Sequence, residues 1–332
     1  MVKKKESTNQ ETVGNYFIKP KDKEFISSGC AVLDCVLGGG YALGRVSNIV
    51  GDKSTGKTLL AIEACANFAN TYPDGKIHYI EAESAFDFGY AEQLGMPMDS
   101  ISFREDIDTI EDFFRYADKD VLTDDNTPKL LILDSLDALS DLAEQEEEIG
   151  AKTYSMGKQK ASSKLFRTRI RTFGRNNVHL MFISQVRYNI GVTFGEKYTM
   201  AGGKALDMYA SQRLWLAERE KIKRTVRGIE RPIGIWIKAL CKKNKIGLPY
   251  RSCDIPILFS YGIDDAWANL DFLKEAKSLT EFGIEATDKA VKAYAEDLLE
   301  KNDADTRKRI AKYTTEVWAE TEKGFLPAFK KY

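Results

Sequence analysis

The sequence lacks an excess of either charge, a paired set of cysteines and any long apolar run. Its 332 residues carry 49 basic and 50 acidic side chains, which excludes a uniformly basic coat for nucleic acid but allows local basic patches. The five cysteines form no C-x-x-C pair, which argues against a structural zinc site and fits a reducing, cytosolic compartment. No run approaches the roughly 20 apolar residues of a membrane span, and the polar start lacks a signal-peptide core. We therefore expect a cytoplasmic protein without a membrane partner.

What the sequence does contain is a complete phosphate-binding pattern, G-x-x-x-x-G-K-[ST]. The pattern comprises Gly51, Asp52, Lys53, Ser54, Thr55, Gly56, Lys57 and Thr58. An apolar stretch precedes it and a helix-like stretch follows it, so loop N–H groups and the positive end of a helix should converge on an anion. Lys57 is expected to reach the terminal phosphates of a nucleotide, and the Thr58 hydroxyl to hold Mg²⁺. These residues predict a site for ATP and Mg²⁺.

Three further apolar stretches predict strands that end in polar side chains near Glu83, Asp134 and Gln185. The carboxyl ends of strands in an open α/β sheet border the crevice in which ligands bind. Asp134 then matches the aspartate that supports Mg²⁺ in phosphate-loop enzymes, and Gln185 is placed to sense the γ-phosphate. Either Glu81 or Glu83 is a candidate to activate the attacking water, and the residues alone leave this choice open.

Two long segments, 144–157 and 187–203, follow the predicted strands at the same face. The first turns from acidic to basic, and the second combines glycines, basic residues and interleaved aromatics. Such a mixture suits single-stranded nucleic acid, because cations contact phosphates and rings stack on bases. A mobile lid over the nucleotide explains the same composition. The position of both segments at one face favours nucleic acid.

The rest of the chain predicts the domain organisation. Residues 1–26 read as an N-terminal arm that could contact a neighbouring protomer, 27–263 as the ATPase core, and 264–332 as a small helical domain. Within the core, Ser27 and Ser28 are candidate helix caps. The hydrophilic stretch 219–231 is expected to be a broad hairpin turn between two strands.

Ordered blocks of this chain resemble the RecA family of recombinases. They are 38–45, the phosphate loop, 81–87, 130–139, 183–187, 191–195 and 202–206. The resemblance extends from about Ser27 to Tyr261. It implies an α/β fold with a RecA-like phosphate-loop ATPase core, in which helices flank a central, mostly parallel, twisted sheet, plus a small helical C-terminal domain.

The resemblance also implies roles for individual residues. It selects Glu83 as the catalytic glutamate, and it places Asp87 and Tyr90 at the adenine. Lys243 and Lys245 match lysines that reach the ATP of the neighbouring protomer. The two long segments match DNA-binding loops, with candidate contacts at Met156, Gly157, Lys158, Lys160, Arg187, Tyr188, Ile190, Phe194, Gly202, Gly203 and Lys204.

The function implied by the resemblance is an ATP-dependent recombinase. It would form filaments on single-stranded DNA, pair that DNA with a homologous duplex, and work with a single-strand-binding protein or a mediator. Two alternatives stay open: a hexameric helicase on the same fold, and a mediator paralogue that pairs no DNA.

The chain departs from the family pattern at several points. Met208 replaces an interface phenylalanine, the N-terminal arm lacks a long packing helix, and the C-terminal end is not an acidic tail. This trimmed form resembles phage-type recombinases, so the expected compartment is the cytoplasm of a bacterium or of a phage-infected host.

Overall fold

Strands and helices alternate through the first two thirds of the chain. The computed structural model describes residues 24–123, 127–142, 157–188, 198–200 and 203–327. The strands are β1 (Phe25–Ile26), β2 (Tyr41–Ala42), β3 (Val46–Gly51), β4 (Lys76–Glu81), β5 (Ile101–Arg104), β6 (Lys129–Asp134), β7 (Val178–Tyr188), β8 (Tyr198–Met200), β9 (Gln212–Val226), β10 (Ile229–Asn244), β11 (Arg251–Leu258) and β12 (Gly262–Ile263). The α-helices are α1 (Ala31–Leu37), α2 (Lys57–Thr71), α3 (Phe88–Gln93), α4 (Ile110–Tyr116), α5 (Gly157–Arg175), α6 (Gly203–Tyr209), α7 (Asp265–Glu275), α8 (Asp288–Lys301) and α9 (Ala304–Phe325).

One large sheet carries most of these strands, in the order β12-β11-β10-β9-β3-β7-β6-β4-β5, with β8 paired to β7. The strands from β9 to β5 in this order run parallel, whereas β10, β11 and β12 continue the sheet antiparallel. The carboxyl ends of β3, β4, β6 and β7 therefore meet at one edge. This edge is where the sequence places its candidate catalytic residues.

Strand β6 shows why the central strands are continuous apolar runs in the sequence. Leu130 and Ile132 pack in a cluster with residues of α1 and α2, while Leu131 and Leu133 pack in a second cluster with residues of α4 and α5. Successive side chains of a strand point to opposite faces, so both faces of this sheet must be covered. Helices lie on both faces, and the predicted α/β fold class is confirmed.

The helices after residue 264 pack on one another and on the antiparallel end of the sheet. Trp267, Val291 and Ile310, one from each helix, share a cluster with Ile222 of β9. Trp318 of α9 instead packs into the main cluster beside α1 and α2. That 264–332 is a separate domain stays a prediction. Among the described helices, none has the length and apolarity that crossing a membrane requires.

The prediction of a broad hairpin turn at 219–231 is wrong. Strand β9 continues to Val226 and β10 begins at Ile229, so only Arg227 and Gly228 form the turn. Both residues have positive φ, +52° and +80°, as a type I′ turn requires. Residues 217–226 of β9 are exposed on both faces except at Ile222, so the alternation of polar and apolar residues that identifies a strand is missing from this part of the sequence.

The predicted helix caps at Ser27 and Ser28 are also wrong. Helix α1 begins at Ala31, and no side chain caps it. Instead, Ser27 Oγ donates to Asp34 Oδ2 at 2.6 Å and the Ser28 N–H donates to Asp34 Oδ1 at 2.7 Å. The serines therefore tie the incoming chain to a carboxylate in the first turn of α1, which spacing alone did not reveal.

Candidate nucleotide site

The predicted phosphate loop connects β3 to α2, a helix of 15 residues. Thr55 Oγ1 and Lys57 Nζ both donate to the backbone carbonyl of Asp52, at 2.9 and 2.7 Å, and close the loop. Gly56 occupies the N-cap of α2 with a φ of +82°, a conformation in which a side chain would be strained. The loop N–H groups and the positive end of α2 are therefore arranged as an anion cradle.

The Lys57 ammonium lies beside this cradle, in a setting that suits a bound phosphate. Burial lowers the pKa of Lys57, while the carboxylates of Asp134, Glu83, Asp52 and Asp137 oppose that shift. A partly buried cation gains from a close anion, because the anion replaces the water that the cation has lost. The donor that now contacts the Asp52 carbonyl is thus available to a terminal phosphate.

Asp134 is buried at the end of β6, with 5% of its surface exposed. Its Oδ2 accepts hydrogen bonds from Thr58 Oγ1 at 2.7 Å and from Tyr79 Oη at 2.8 Å. Burial raises the pKa of Asp134, and these two hydrogen bonds lower it. A carboxylate and a hydroxyl oxygen at this separation fit Mg²⁺, which prefers oxygen ligands. Sequence reasoning missed Tyr79, since a tyrosine within a buried strand carries no catalytic pattern.

The two glutamates after β4 have different surroundings. Glu81 is buried, and its carboxylate accepts the backbone N–H groups of Glu83, Ser84 and Ala85 at 2.9 to 3.2 Å. This carboxylate shapes the turn. Glu83 is exposed at the cleft and accepts a hydrogen bond from Ser135 Oγ. The geometry therefore favours Glu83 over Glu81 as the group that could meet a water molecule.

Gln185 lies beside Glu83 on the neighbouring part of the same edge. Its Nε2 donates to Glu83 Oε1 at 3.0 Å, and its backbone N–H donates to Asp137 Oδ2 at 2.7 Å. The structure thus brings together the two predicted residues and adds Asp137, which sequence reasoning did not single out. The only available sequence signal was a second carboxylate three residues after Asp134.

An open cleft of about 610 Å³ joins the phosphate loop to these side chains. Tyr90 lines one side, and its backbone N–H donates to Asp87 Oδ1 at 2.9 Å. Ile235, Ile257 and Phe259 form an apolar wall, with the Phe259 ring 53% exposed. An aromatic and aliphatic wall beside a phosphate cradle suits the planar base of a nucleotide. No motif in the sequence identifies these three residues, because they lie on or directly after antiparallel strands, far along the chain from the phosphate loop.

Lys243 and Lys245 lie at the opposite edge of the sheet. Strand β10 runs antiparallel to β9, so its carboxyl end lies beside the amino end of β9 and away from the phosphate loop. Lys243 Nζ donates to the backbone carbonyls of Asp207 and, at 3.0 Å, Met208, while Lys245 Nζ donates to Met208 at 3.3 Å. Neither lysine lines the cleft of its own chain.

The predicted DNA contacts lie partly outside the described residues, where Met156, Ile190, Phe194 and Gly202 fall. Of the others, Gly157, Lys158 and Lys160 belong to the start of α5, Arg187 and Tyr188 to the end of β7, and Gly203 and Lys204 to the start of α6. The predicted bounds of the second loop, 187–203, are wrong at both ends. Residues 186–188 pair antiparallel with 198–200, and α6 begins at Gly203.

A mostly parallel sheet with a phosphate loop after β3, an acid at the end of β6 and a glutamate after β4 defines a phosphate-loop α/β protein. Comparison with known families matches residues 13–264 to the RecA N-terminal domain. The chain is 34% identical over 261 residues to Protein RecA of Synechocystis sp., covering 78% of this chain and 71% of that protein. Protein RecA of Prochlorococcus marinus shows the same identity over 261 residues, with 66% of its length covered.

The chain therefore belongs to the RecA family, and the resemblance seen in the sequence is confirmed. Members of this family are DNA-dependent ATPases of recombination and repair. They use ATP and Mg²⁺ and form filaments on DNA.

Proposed function

We propose that this protein is an ATP-dependent recombinase that assembles on single-stranded DNA and pairs it with a homologous duplex. One observation carries the proposal. Strand β7 bears Gln185 in the nucleotide cleft and reaches Arg187 and Tyr188, two predicted DNA contacts, within three residues. A single rigid element thus links the nucleotide to the segment expected to hold DNA.

Nucleotide binding is assigned to the phosphate loop and the apolar wall. Backbone N–H groups of residues 51–58 hold the phosphates, and Lys57 exchanges the Asp52 carbonyl for a terminal phosphate oxygen. Tyr90 and Phe259 flank the base. Thr58 and Asp134 would hold Mg²⁺, which supplies charge neutralisation between the phosphates when bound.

Hydrolysis is assigned to Glu83. Its carboxylate, placed by Ser135 Oγ and by the Gln185 amide, orients a water and accepts the proton as the water attacks the γ-phosphate. Gln185 bonds to the same carboxylate, so its side chain can exchange Glu83 for the γ-phosphate and report whether ATP is intact. DNA affinity would then be high with ATP and low after hydrolysis.

Assembly is assigned to opposite edges of the sheet. The phosphate cradle lies at the carboxyl edge, and Lys243 and Lys245 lie at the amino edge. Head-to-tail stacking would bring the two lysines of one copy to the ATP of the next, which is a heterologous contact that generates filaments. The N-terminal arm, a single-strand-binding protein and a mediator are proposed as further contacts of such a filament.

The experiment that tests the function is electron microscopy of the protein with single-stranded DNA and a slowly hydrolysed ATP analogue, beside a control without nucleotide. We expect helical filaments that require the nucleotide, followed by strand exchange in a pairing assay. Closed rings would assign the protein to the helicase class. Unassembled particles would favour a mediator paralogue.

Two variants test the assigned chemistry. Glu83→Gln should bind ATP and DNA with unchanged affinity but lose ATP turnover, because the amide cannot accept the proton. Lys57→Ala should lose ATP binding, whereas Lys53→Ala, a change of the same charge in the same loop, should retain it. Normal turnover by Glu83→Gln would remove the role assigned to this residue.

A further inference from the structure

Strand β7 loses its partner on one side before it reaches Gln185. Its ladder with β6 ends at Phe182. Beyond that point, residues of the turn after β6 form the hydrogen bonds to β7. The Leu136 N–H donates to the Ile183 carbonyl at 3.0 Å, and Asp137 Oδ2 accepts the Gln185 N–H at 2.7 Å. A side-chain carboxylate thus stands where the next backbone acceptor of a ladder would be.

This substitution matters because backbone N–H groups need an acceptor, and a charged acceptor makes a shorter and stronger hydrogen bond than a carbonyl does. On this side of β7, Gln185 is consequently held at two points, while its pairing with Gly51 of β3 continues on the other side. Its side-chain amide contacts Glu83, the proposed catalytic group, and its backbone is held by Asp137.

We propose that Asp137 is a positioning residue that fixes the backbone of Gln185, so that a change at Glu83 is transmitted along β7 to its hairpin with β8. The inference rests on the proposed function and deepens it by naming how the nucleotide site is coupled to the DNA segment.

An anchored backbone limits how far the Gln185 side chain can move without displacing strand β7. If Gln185 leaves Glu83 for a phosphate, its backbone must either keep the bond to Asp137 or break it, which defines two discrete positions of the strand. Without the anchor, the side chain can move with no displacement of Val186 and of its pairing with Met200. The Asp137 charge also acts on a residue of the cleft. Burial lowers the pKa of Lys57, and Asp137 is among the carboxylates that raise this pKa again.

Three variants separate this role from others. Asp137→Ala removes the acceptor, and Asp137→Asn removes the charge but keeps an oxygen that can accept the Gln185 N–H. Asp106→Ala is the matched control, because it removes an exposed carboxylate that follows β5 at the same edge of the sheet and does not touch β7.

The measurement is the dissociation constant of a fluorescent single-stranded oligonucleotide, with ADP and with a slowly hydrolysed ATP analogue, together with the affinity for ATP. In the wild type and in Asp106→Ala we expect tighter DNA binding with the analogue. Asp137→Ala should shrink the ratio of the two constants about tenfold, with ATP affinity retained, since only the coupling between sites is lost. Asp137→Asn should keep most of the ratio.

If Asp137→Ala keeps the wild-type ratio of the two DNA dissociation constants, the inference is overturned. It is also overturned if Asp137→Asn loses the ratio as fully as Asp137→Ala does, because the charge and not the hydrogen bond would then be responsible. Hydrogen exchange of peptides covering 178–188 provides a readout that needs no DNA. Faster exchange in Asp137→Ala is expected, and unchanged exchange contradicts the anchor. If the wild type itself binds DNA equally with both nucleotides, the proposed function fails, whatever the exchange data show about Asp137.

Discussion

Among the described residues, hydroxyl groups and no basic side chain supply the hydrogen bonds to the Asp134 carboxylate. Thr58 and Tyr79 both donate to one carboxylate oxygen, and Tyr79 stacks on Phe103 with ring centroids 5.5 Å apart. The ring position therefore does not depend on the hydroxyl. This separation allows the hydrogen bond to be removed while the packing is kept.

Tyr79→Phe should raise the Mg²⁺ concentration that ATP hydrolysis requires, without unfolding the protein. Loss of a hydrogen bond to a charged group costs about 1.5 kcal/mol, so the Mg²⁺ concentration for half-maximal ATPase activity should rise about tenfold. Tyr116→Phe is the matched control, because it also removes a buried hydroxyl contact, that of Tyr116 with His78 at 2.8 Å, but lies outside the cleft. Equal Mg²⁺ titrations for both variants would contradict the role of Tyr79.

At the scale of secondary-structure elements, the stability of the long hairpin of β9 and β10 depends on side-chain contacts near the middle of its strands. Residues 217–226 of β9 are exposed on both faces except at Ile222, which is 4% exposed and packs among the C-terminal helices. Ile222 therefore joins the exposed part of β9 to a hydrophobic cluster, against which the partly buried Ile233 of β10 also packs. The neighbouring Lys221 points to the other face and is exposed.

Ile222→Ala should lower the free energy of unfolding by about 2 to 4 kcal/mol, because it leaves a cavity between the hairpin and the helices. Lys221→Ala, one residue away on the same strand, should change it by less than about 0.5 kcal/mol. Urea unfolding followed by circular dichroism measures both. Similar values for the two variants would show that the cluster does not support the hairpin.

For the whole molecule, the phosphate loop and Lys243 lie at opposite edges of the sheet, so the proposed role of Lys243 requires that two copies form one site. Lys57→Ala and Lys243→Ala should each abolish most ATPase activity when alone. An equal mixture should recover activity, since about a quarter of the contacts in a random head-to-tail filament then join an intact loop to an intact lysine. Mixing Lys57→Ala with the double variant Lys57→Ala/Lys243→Ala should recover none. Absence of recovery in the first mixture would argue that Lys243 acts within its own chain or has no catalytic part.

Stability of the whole molecule should also depend on pH through Glu63, which links α2 to β12. Burial raises the pKa of Glu63 to about 7, and its Oε1 accepts the Ile263 N–H at 2.8 Å. Asp265 raises this pKa further and Arg307 lowers it. The folded state therefore binds a proton more tightly than the unfolded chain, and the stability from this group is lost as pH rises from about 4.5 to 7.

Glu63→Gln should consequently raise the free energy of unfolding at pH 8 by about 2 to 3 kcal/mol and change it little at pH 4. The amide oxygen still accepts the Ile263 N–H, so the contact itself is kept. Glu92→Gln, an exposed change in α3, is the control. Urea titrations at pH 4, 6 and 8 provide the test, and an equal effect of Glu63→Gln at all three values would disprove the linkage.

The buried histidines act in the opposite direction. Burial lowers the pKa of His78 and of His179 to about 4, so both are neutral in the folded protein. Their contribution is present above pH 6.5 and is lost as pH falls toward 4. The histidine loss, from about pH 6.5 to 4, and the Glu63 loss, from about pH 4.5 to 7, cover nearly the same range, so the two effects partly offset each other there.

The sequence by itself determined the fold class, the family and the phosphate loop. These features are encoded locally: residues 51–58 are contiguous, and buried parallel strands such as β6 are uninterrupted apolar runs that end in a polar residue. It also placed Asp134 at the end of β6, whereas the predicted strand end at Gln185 is wrong: the parallel pairing of β7 with β3 ends there, but β7 continues to Tyr188.

Only the tertiary structure decided which side chains share a site. Apart from the family resemblance, the residue pattern does not distinguish Glu81 from Glu83, and they differ because one carboxylate closes a turn while the other meets Gln185, 102 residues away. Tyr79 and Phe259 approach the loop through strand order and packing, which no local pattern encodes. The outer part of the β9–β10 hairpin likewise could be recognised only from the pairing of the two strands. A largely exposed strand is stabilised by pairing with its neighbour, and its sequence does not show the alternation of polar and apolar residues that marks a half-buried strand.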